Sequence, residues 1–234
     1  MSDDPIRGQD PRSIREPQKP VRHGFQTWLD SIDDELVGGA LLVAEGLPRI
    51  SRALLAGDVS CILEIRGMDS DVHDRCRHIE EQGFLLLARE APVAGDLRRL
   101  VAILRLVTAV ERSAALLRHV AETLEHFDPR LLPVALRTQV EELGSQTAEV
   151  YRRGVDAWRQ RDGLAVTEVD RRDEAVDALQ AQILERAEVE VEGPTELLLL
   201  GLLARYYERI ADHGVSFAQH AAFAVTGQRV EVGS

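Results

Sequence analysis

An internal repeat limits most strongly how this chain of 234 residues can fold. Residues 58–79 align with residues 162–183 at a constant offset of 104, without a gap. The segments that follow align at an offset of 97, where Glu111-Arg112 matches Glu208-Arg209. Self-similarity of this kind indicates a duplicated supersecondary unit, so the same local structure is expected twice.

Helical periodicity runs through both copies. From Phe25 onward, apolar residues recur at the spacing of one helix face, and no stretch alternates with the period of two that a half-buried strand needs. Leu, Ala, Val, Glu and Arg dominate, a composition typical of packed helices. Prolines and glycines divide this region into six predicted helices. They are about Gly24–Leu55 with a kink near Pro48, Asp58–Glu90, Val93–Glu125, Pro129–Arg161, Leu164–Glu190, and Pro194–Thr226 before a stop at Gly227.

The predicted fold class is all-α, with two tandem three-helix bundles related by the internal repeat. Short connections between long helices favour antiparallel neighbours. The predicted organisation is a disordered N-terminal tail at 1–21, a first bundle at 22–127, a second bundle at 128–227, and a C-terminal tail at 228–234. The N-terminal tail is expected to be disordered because prolines and mixed charges leave it almost no apolar side chains to bury.

The charge balance argues against a nucleic-acid partner. The chain has 40 acidic and 28 basic residues, and a net charge of −12. Attraction to the phosphate backbone supplies most non-specific affinity for nucleic acids, and an acidic surface lacks it. We therefore expect no DNA or RNA role.

The expected compartment is the cytoplasm. The chain shows no apolar signal segment, and its longest apolar stretch, Leu197–Leu203, is far shorter than the ~20 residues that span a bilayer. Contact with a membrane is therefore expected only through a partner. Cys61 and Cys76 fall on one predicted helix about 22 Å apart, too far to form a disulfide within it.

Two pairs of acidic residues make the second repeat a candidate metal site. Asp173 and Asp177 form one pair on the fifth helix, and Glu208 and Asp212 form the other on the sixth. Residues four positions apart share a helix face, so two facing pairs can surround a metal ion with oxygen ligands. The alternative is that these acids are solvated or paired with arginines such as Arg205, because this spacing often arises by chance.

The first repeat keeps only part of this pattern. Asp69 and Glu111 match acids of the second repeat, but His73 and Ala115 stand where that repeat has its other two acids. His73 could act as an imidazole ligand, or it could be a solvent-exposed helix histidine. We expect the first repeat to bind metal weakly or not at all.

Motifs of known catalytic sites are absent from the sequence. None of the seven histidines follows a glutamate by three positions, as a ferritin-like di-iron site requires. The chain also lacks the zinc-protease motif His-Glu-x-x-His and the nucleophile motif Gly-x-Ser-x-Gly. The sequence therefore predicts that the protein is not an enzyme.

Two stretches of sequence resemble the PhoU family, most closely its actinobacterial branch. They are Ala-Pro-Val-Ala-Gly-Asp-Leu-Arg at 91–98 and Tyr-Glu-Arg-Ile-Ala-Asp-His at 207–213. Thr226-Gly227 adds to the second stretch, and the resemblance spans about Val21 to Gly227. It implies two three-helix bundles that carry iron or zinc clusters. The metal ligands it implies are Asp173, Asp177, Glu208 and Asp212, with a degraded set of Asp69, Glu111 and His73 in the first repeat.

The resemblance also implies a function. Proteins of this family are cytoplasmic negative regulators of phosphate uptake and of the phosphate-starvation regulon. They act by binding the ATPase subunit of the phosphate ABC transporter and a sensor histidine kinase, and a homodimer is plausible for them. The alternative is a protein whose metal cluster serves metal buffering or storage. A third hypothesis, a metal-dependent phosphatase or oxidase, has less support.

Overall fold

The fold is built from six α-helices, as the sequence predicts. The structure is a computed structural model that describes residues 19–90 and 92–230, with residues 19–23 described by their backbone alone. Within these ranges there is no β-strand. The helices are α1 Lys19–Ala56, α2 Cys61–Glu90, α3 Ala94–Glu122, α4 Val134–Gln160, α5 Val166–Glu190 and α6 Pro194–Thr226.

The N-terminal end of the described chain differs from prediction, and the C-terminal end of α6 agrees with it. α1 begins at Lys19, so three residues of the predicted tail at 1–21 are helical, and residues 1–18 lie outside the described part. α1 also continues through Pro48 to its end as one helix. At the other end Gly227 adopts φ 77°, a conformation that glycine tolerates best, and it ends α6 as predicted. Residues 228–230 follow without regular structure, and 231–234 lie outside the described part.

The fourth helix begins five residues later than predicted. Residues Pro129–Leu131 form a single 3₁₀ turn, and the chain then leaves the helical region at Leu132, with φ −64° and ψ 149°. Pro133 explains the difference, because the residue before a proline is pushed toward extended backbone. α4 therefore starts at Val134, immediately after that proline.

The internal repeat extends to the hydrogen bonds that end a helix. After α1, Gly57 N–H donates to Leu54 O and Asp58 N–H donates to Ala53 O, at 3.0 and 2.9 Å. After α4, the residues 104 positions later make the same two bonds, at 3.2 and 2.9 Å. Both turns pass through a left-handed residue, Gly57 at φ 68° and Arg161 at φ 56°. The two copies thus share one type of helix end, a Schellman motif.

The two three-helix units pack against each other through four helices. In the first unit α2 packs on α1 and α3, and in the second α5 packs on α4 and α6. The units meet where α1 contacts α4 and where α3 contacts α6. Their buried residues form one continuous core, which leaves α2 and α5 on the outside. The all-α fold with two three-helix units is therefore confirmed.

A buried carboxylate joins three of the central helices. Asp33 on α1, only 5% exposed, accepts hydrogen bonds from Arg99 on α3 at 2.6 Å and from Trp158 on α4 at 2.7 Å. Arg161, whose guanidinium lies 4.7 Å from the Trp158 ring centre, also donates to it. A buried charge is tolerated when it is paired and hydrogen-bonded, and these donors meet that requirement.

Both cysteines behave as the sequence predicts. Cys61 and Cys76 are free and buried, at 5% and 2% exposure. They act as small apolar core residues.

Two glycines allow α4 and α6 to approach each other closely. A Cβ atom at Gly154 would lie 2.0 Å from the carbonyl oxygen of Gly214. A Cβ atom at Gly214 would lie 2.7 Å from the Cα of Tyr151. In both cases the obstacle is backbone, which cannot rotate away as a side chain can. The position of α6 in the core therefore depends on these two glycines.

Replacing Gly154 with alanine should destabilise the fold. Because the new methyl group meets backbone, α6 must move, and we expect Gly154→Ala to lower the free energy of unfolding by about 3 kcal/mol. Urea denaturation followed by circular dichroism measures this change. Gly67→Ala is the matched control, because nothing lies within 4 Å of a Cβ placed there. That control should be neutral or stabilising by about 0.5–1 kcal/mol, and a similar loss in both variants would contradict the close-approach explanation.

Candidate functional site

The four acids of the second repeat lie together where α5 packs on α6. Glu208 is 7% exposed, Asp173 and Asp212 are half-buried, and Asp177 is exposed. α5 contributes the two aspartates at 173 and 177, one turn apart, and α6 contributes the other pair. The structure thus brings the predicted set into one region, which we call the α5–α6 acid cluster.

Three of these carboxylates, Asp173, Glu208 and Asp212, hold their protons more tightly than ordinary carboxylates do. Burial, followed by the negative charges of Asp212, Asp177 and Glu208, raises the pKa of Asp173 to about 7. Burial also raises the pKa of Glu208 and that of Asp212. The charges of Arg205 and Arg209 oppose both of these rises without cancelling them. The cluster therefore carries negative charge that the protein itself does not fully neutralise.

Two oxygen atoms in the α5–α6 acid cluster are buried without a hydrogen-bond partner among the described residues. They are Oδ1 of Asp173 and Oε2 of Glu208. Arg205 pairs with Glu208 at 2.5 Å, but through the other oxygen, Oε1. Arg209 approaches Asp212 only to 3.9 Å. Buried carboxylate oxygens normally have a partner, so these two mark a place where a donor or a cation would be favourable.

As the side chains stand, they do not form a finished metal site. Across the described part of the chain, no group of three or more His, Cys, Asp or Glu side chains is arranged to hold a metal ion. Like charges repel, and Glu208 is drawn toward Arg205 instead of its acidic neighbours. Binding a metal would therefore require the carboxylates to move inward, and Glu208 would have to release its arginine. Carboxylate oxygens are the ligands that hard or borderline cations prefer.

A fifth acid belongs to this region. Asp170 lies on α5 one turn before Asp173, and its charge helps to raise the pKa of Asp173. Burial also raises the pKa of Asp170. Asp170 was not predicted as part of the site, because the sequence does not show which acids of α5 lie close to Asp173. A spacing of three also places two residues on the same helix face.

In the first repeat the corresponding acids are already paired. Arg118 Nε donates to Asp69 Oδ2 at 2.8 Å, and His73 Nδ1 donates to Glu111 Oε1 at 2.7 Å. These residues line an open recess of about 440 Å³ together with Ala115. The side chain of His73 is 60% exposed, as expected if it is a solvent-exposed helix histidine. Sequence reasoning missed Arg118, although the repeat alignment places it opposite Val215 and so shows an added charge.

His213, next to the α5–α6 acid cluster, is buried in the core and hydrogen-bonded there. His213 is 8% exposed, and its Nδ1 lies 2.8 Å from Oγ of Ser113 on α3. Since that hydroxyl donates to Ala109 O at 2.7 Å, His213 must be the donor in this bond. Burial lowers the pKa of His213 to about 4, so the ring is neutral at ordinary pH. This bond ties the two units together where α3 meets α6.

The acid cluster predicts a specific pH dependence of stability for protein stripped of metal by a chelator. A carboxylate whose pKa is higher in the folded than in the unfolded state destabilises the fold as pH rises. For Asp173 the loss develops between its ordinary pKa, near 4, and its folded pKa of about 7. Asp173→Asn removes this effect, and should stabilise the protein by about 1–2 kcal/mol more at pH 8 than at pH 5. Urea denaturation at the two pH values measures the difference.

Glu185→Gln provides the control for charge removal. Glu185 is an exposed acid on the same helix, so its neutralisation should change stability little at either pH. An equal response of the two variants to pH would show that Asp173 experiences no special environment.

Comparison with known proteins gives consistent matches along most of the chain. The PhoU domain model matches twice, at residues 40–124 and 140–221, one match in each repeat. Phosphate-specific transport system accessory protein PhoU homolog 1 of Mycobacterium leprae (strain TN) is 30% identical over 211 residues, covering 88% of this chain and 95% of that protein. The PhoU homolog of Synechocystis sp. (strain PCC 6803) is 27% identical, covering 90% of this chain and 95% of that protein.

Solved structures agree on the fold. The crystal structure of PhoU from Pseudomonas aeruginosa superimposes with a TM-score of 0.81 at 24% identity, covering 87% of this chain and all of that one. The phosphate transport system regulatory protein PhoU from Streptococcus pneumoniae gives a TM-score of 0.80 at 18% identity, covering 89% of this chain. With a domain match in each repeat and a relative aligned over nearly its whole length, the chain belongs to the PhoU family.

Proposed function

We propose that the protein is an accessory regulator of phosphate transport, which restrains phosphate uptake and the phosphate-starvation regulon when phosphate is plentiful. The observation that carries this proposal is the PhoU domain match in both repeats. The relatives are named as accessory proteins of the phosphate-specific transport system, and they align over 88–90% of this chain. Within the proposal, the partners are the ATPase subunit of the phosphate ABC transporter and a sensor histidine kinase, contacted in the cytoplasm.

The proposal assigns the protein a binding role rather than a catalytic one. Three side chains of types that often serve in catalysis, Cys61, Cys76 and His213, are buried in the core. Burial raises the pKa of Cys76 to about 12, so the thiolate that would act as a nucleophile does not form at ordinary pH. Burial also raises the pKa of the Cys61 thiol. His213 is neutral and already donates to Ser113, which leaves it poorly placed to exchange protons with a substrate. A rigid acidic helical body suits docking onto complementary partners.

The structure describes no helix that is both long and apolar enough to cross a bilayer, within residues 19–90 and 92–230.

We also propose that the α5–α6 acid cluster binds a metal, with iron or zinc as the candidates. Asp173, Asp177, Glu208 and Asp212 would supply the ligands. The unpartnered oxygens of Asp173 and Glu208 and the raised pKa values support this proposal, because a cation would satisfy both oxygens and relieve the repulsion. The metal would supply positive charge that joins α5 to α6, and the protein would respond by moving Glu208 away from Arg205.

Regulation can be tested by measuring alkaline phosphatase activity in phosphate-replete cells that lack this gene. We expect high activity in the deletion strain and low activity after complementation with the wild-type chain. Deletion should have this effect because the regulator no longer restrains the kinase. In cells that encode a second member of the family, both genes should be deleted before complementation. Activity that stays low in such a strain would contradict the proposed regulation.

Metal binding can be tested on purified protein by equilibrium dialysis against Zn²⁺ and elemental analysis. We expect the wild-type chain to retain zinc and the double variant Asp177→Ala, Glu208→Ala to lose most of it, because a ligand is removed from each helix. The double variant Asp71→Ala, Glu185→Ala is the matched control, since it removes two exposed acids from α2 and α5 outside the cluster. Equal zinc retention by all three proteins would contradict metal binding at this cluster.

The second candidate function, metal buffering or storage, depends on the same cluster. The Asp177→Ala, Glu208→Ala variant separates the two functions in the complementation assay. If that variant still silences alkaline phosphatase, regulation does not need the metal. If it loses both zinc and regulation, the metal belongs to the regulatory function. Sedimentation of the purified chain tests the homodimer that the family resemblance implies.

A further inference from the structure

The recess of the first repeat, between α2 and α3, is built as a charge-neutralised counterpart of the α5–α6 acid cluster. We propose that the guanidinium of Arg118 is a resident cation there, which takes the place of a metal ion and prevents the first repeat from binding one. The inference concerns the first repeat alone, so it stands or falls independently of whether the second repeat binds metal.

The contacts of Arg118 place its charge among the acids of the recess. Its Nε donates to Asp69 Oδ2 at 2.8 Å, and its Nη1 donates to Glu122 Oε2 at 2.7 Å. Asp69 is one of the acids that the repeat preserves, and it corresponds to Asp173 in the other copy. The Arg118 side chain is 27% exposed, so its contacts are partly shielded from water. One guanidinium thus bridges α2 to α3, as a shared metal ion would bridge two helices.

A second arginine completes the neutralisation. Arg66 Nε donates to Glu122 Oε1 at 2.9 Å, and its Nη2 donates to Glu125 Oε1 at 3.0 Å. Hydrogen bonds from Arg66 and Arg118 outweigh the effect of burial and lower the pKa of Glu122. This direction is opposite to that of Asp173 and Glu208 in the second repeat. The two arginines therefore stabilise the ionised form of Glu122 without an added cation.

The repeat alignment shows that both arginines are specific to the first copy. At the offset of 97, Arg118 corresponds to Val215, which is 6% exposed in the core. At the offset of 104, Arg66 corresponds to Asp170, an acid of the α5–α6 acid cluster. The first repeat has thus gained two positive charges where the second has an apolar side chain and a negative one. His73 and Ala115 replace two carboxylates of the second repeat, while Glu122 and Glu125, which the arginines contact, stand where that repeat has Gln219 and Ala222.

A metal ion cannot easily displace Arg118 from the first-repeat recess. A metal ion displaces protons from its ligands, but an arginine does not lose its proton in a protein. A divalent ion entering the recess would therefore have to lie beside a fixed positive charge. It would also have to break the bonds from Arg118 to two acids. Loss of the carboxylates at 73 and 115 reduces affinity, and Arg118 excludes the ion directly.

The test restores the missing acids in the first repeat, with and without Arg118. All proteins carry Asp177→Ala and Glu208→Ala, so the second repeat cannot contribute. One variant adds His73→Asp and Ala115→Asp, and the other adds Arg118→Val to these two changes.

Zn²⁺ binding is measured by isothermal titration, after circular dichroism has verified helical content. We expect the variant without Arg118 to bind Zn²⁺ at least tenfold more tightly than the variant that retains it. Equal affinity of the two variants, whether strong or absent, would overturn the proposal.

A stability measurement keeps the proposal testable if the multiple variants fail to fold. Arg118→Val alone should lower the melting temperature by about 3–6 °C, because partly buried Asp69 loses its cation and Glu122 keeps only Arg66. Arg49→Val is the matched control, since Arg49 pairs with Glu64 and both side chains are 54% exposed. The control should shift the melting temperature by no more than about 2 °C. An equally small shift in Arg118→Val would overturn the role of Arg118 as a resident cation.

Discussion

The close approach of α4 and α6 is the constraint on which the rest of the structure depends. With Gly154 facing the carbonyl of Gly214, α6 enters the core deeply enough to pack on α3, α4 and α5. His213, the neighbour of Gly214 in the chain, can then reach Ser113 across the boundary between the repeats. The same helix presents Glu208 and Asp212 toward α5, where the acids collect. A site that is rich in negative charge is thus built on the most constrained helix of the fold.

The two repeats use the same helical framework but differ in how far their acidic side chains are neutralised. In the first, Arg118 and Arg66 supply positive charge from within the chain, and the acids they contact are hydrogen-bonded. In the second, two buried oxygens have no partner among the described residues, and burial together with mutual repulsion raises the pKa of Asp173. Unsatisfied charge costs stability, so a fold that retains it gains when a cation binds. The asymmetry between the repeats thus makes the second one the candidate for regulation by a bound ion.

Much of the fold could be predicted from the sequence, because long amphipathic helices and an internal repeat leave few alternatives. The helix ends were less predictable: Pro133 delays α4, and the turn before α5 uses Arg161 in a position that usually holds glycine. Pairs of acids four residues apart led to the right region, yet Asp170 was missed, because only the structure shows that its charge acts on Asp173. The role of Arg118 depends on which acids it reaches, and only the packing of α2 on α3 reveals that. Sequence patterns locate charges along a helix, whereas their compensation depends on neighbouring helices.

The central claim is that one repeat is prepared for a cation and the other supplies its own. Anomalous diffraction at the zinc absorption edge, from crystals of the full chain grown with Zn²⁺, tests it most directly because it locates the bound ion. The account predicts a strong anomalous peak among Asp173, Asp177, Glu208 and Asp212, and none among Asp69, Glu111 and Arg118. A peak in the first-repeat recess, or the absence of one between α5 and α6, would contradict it.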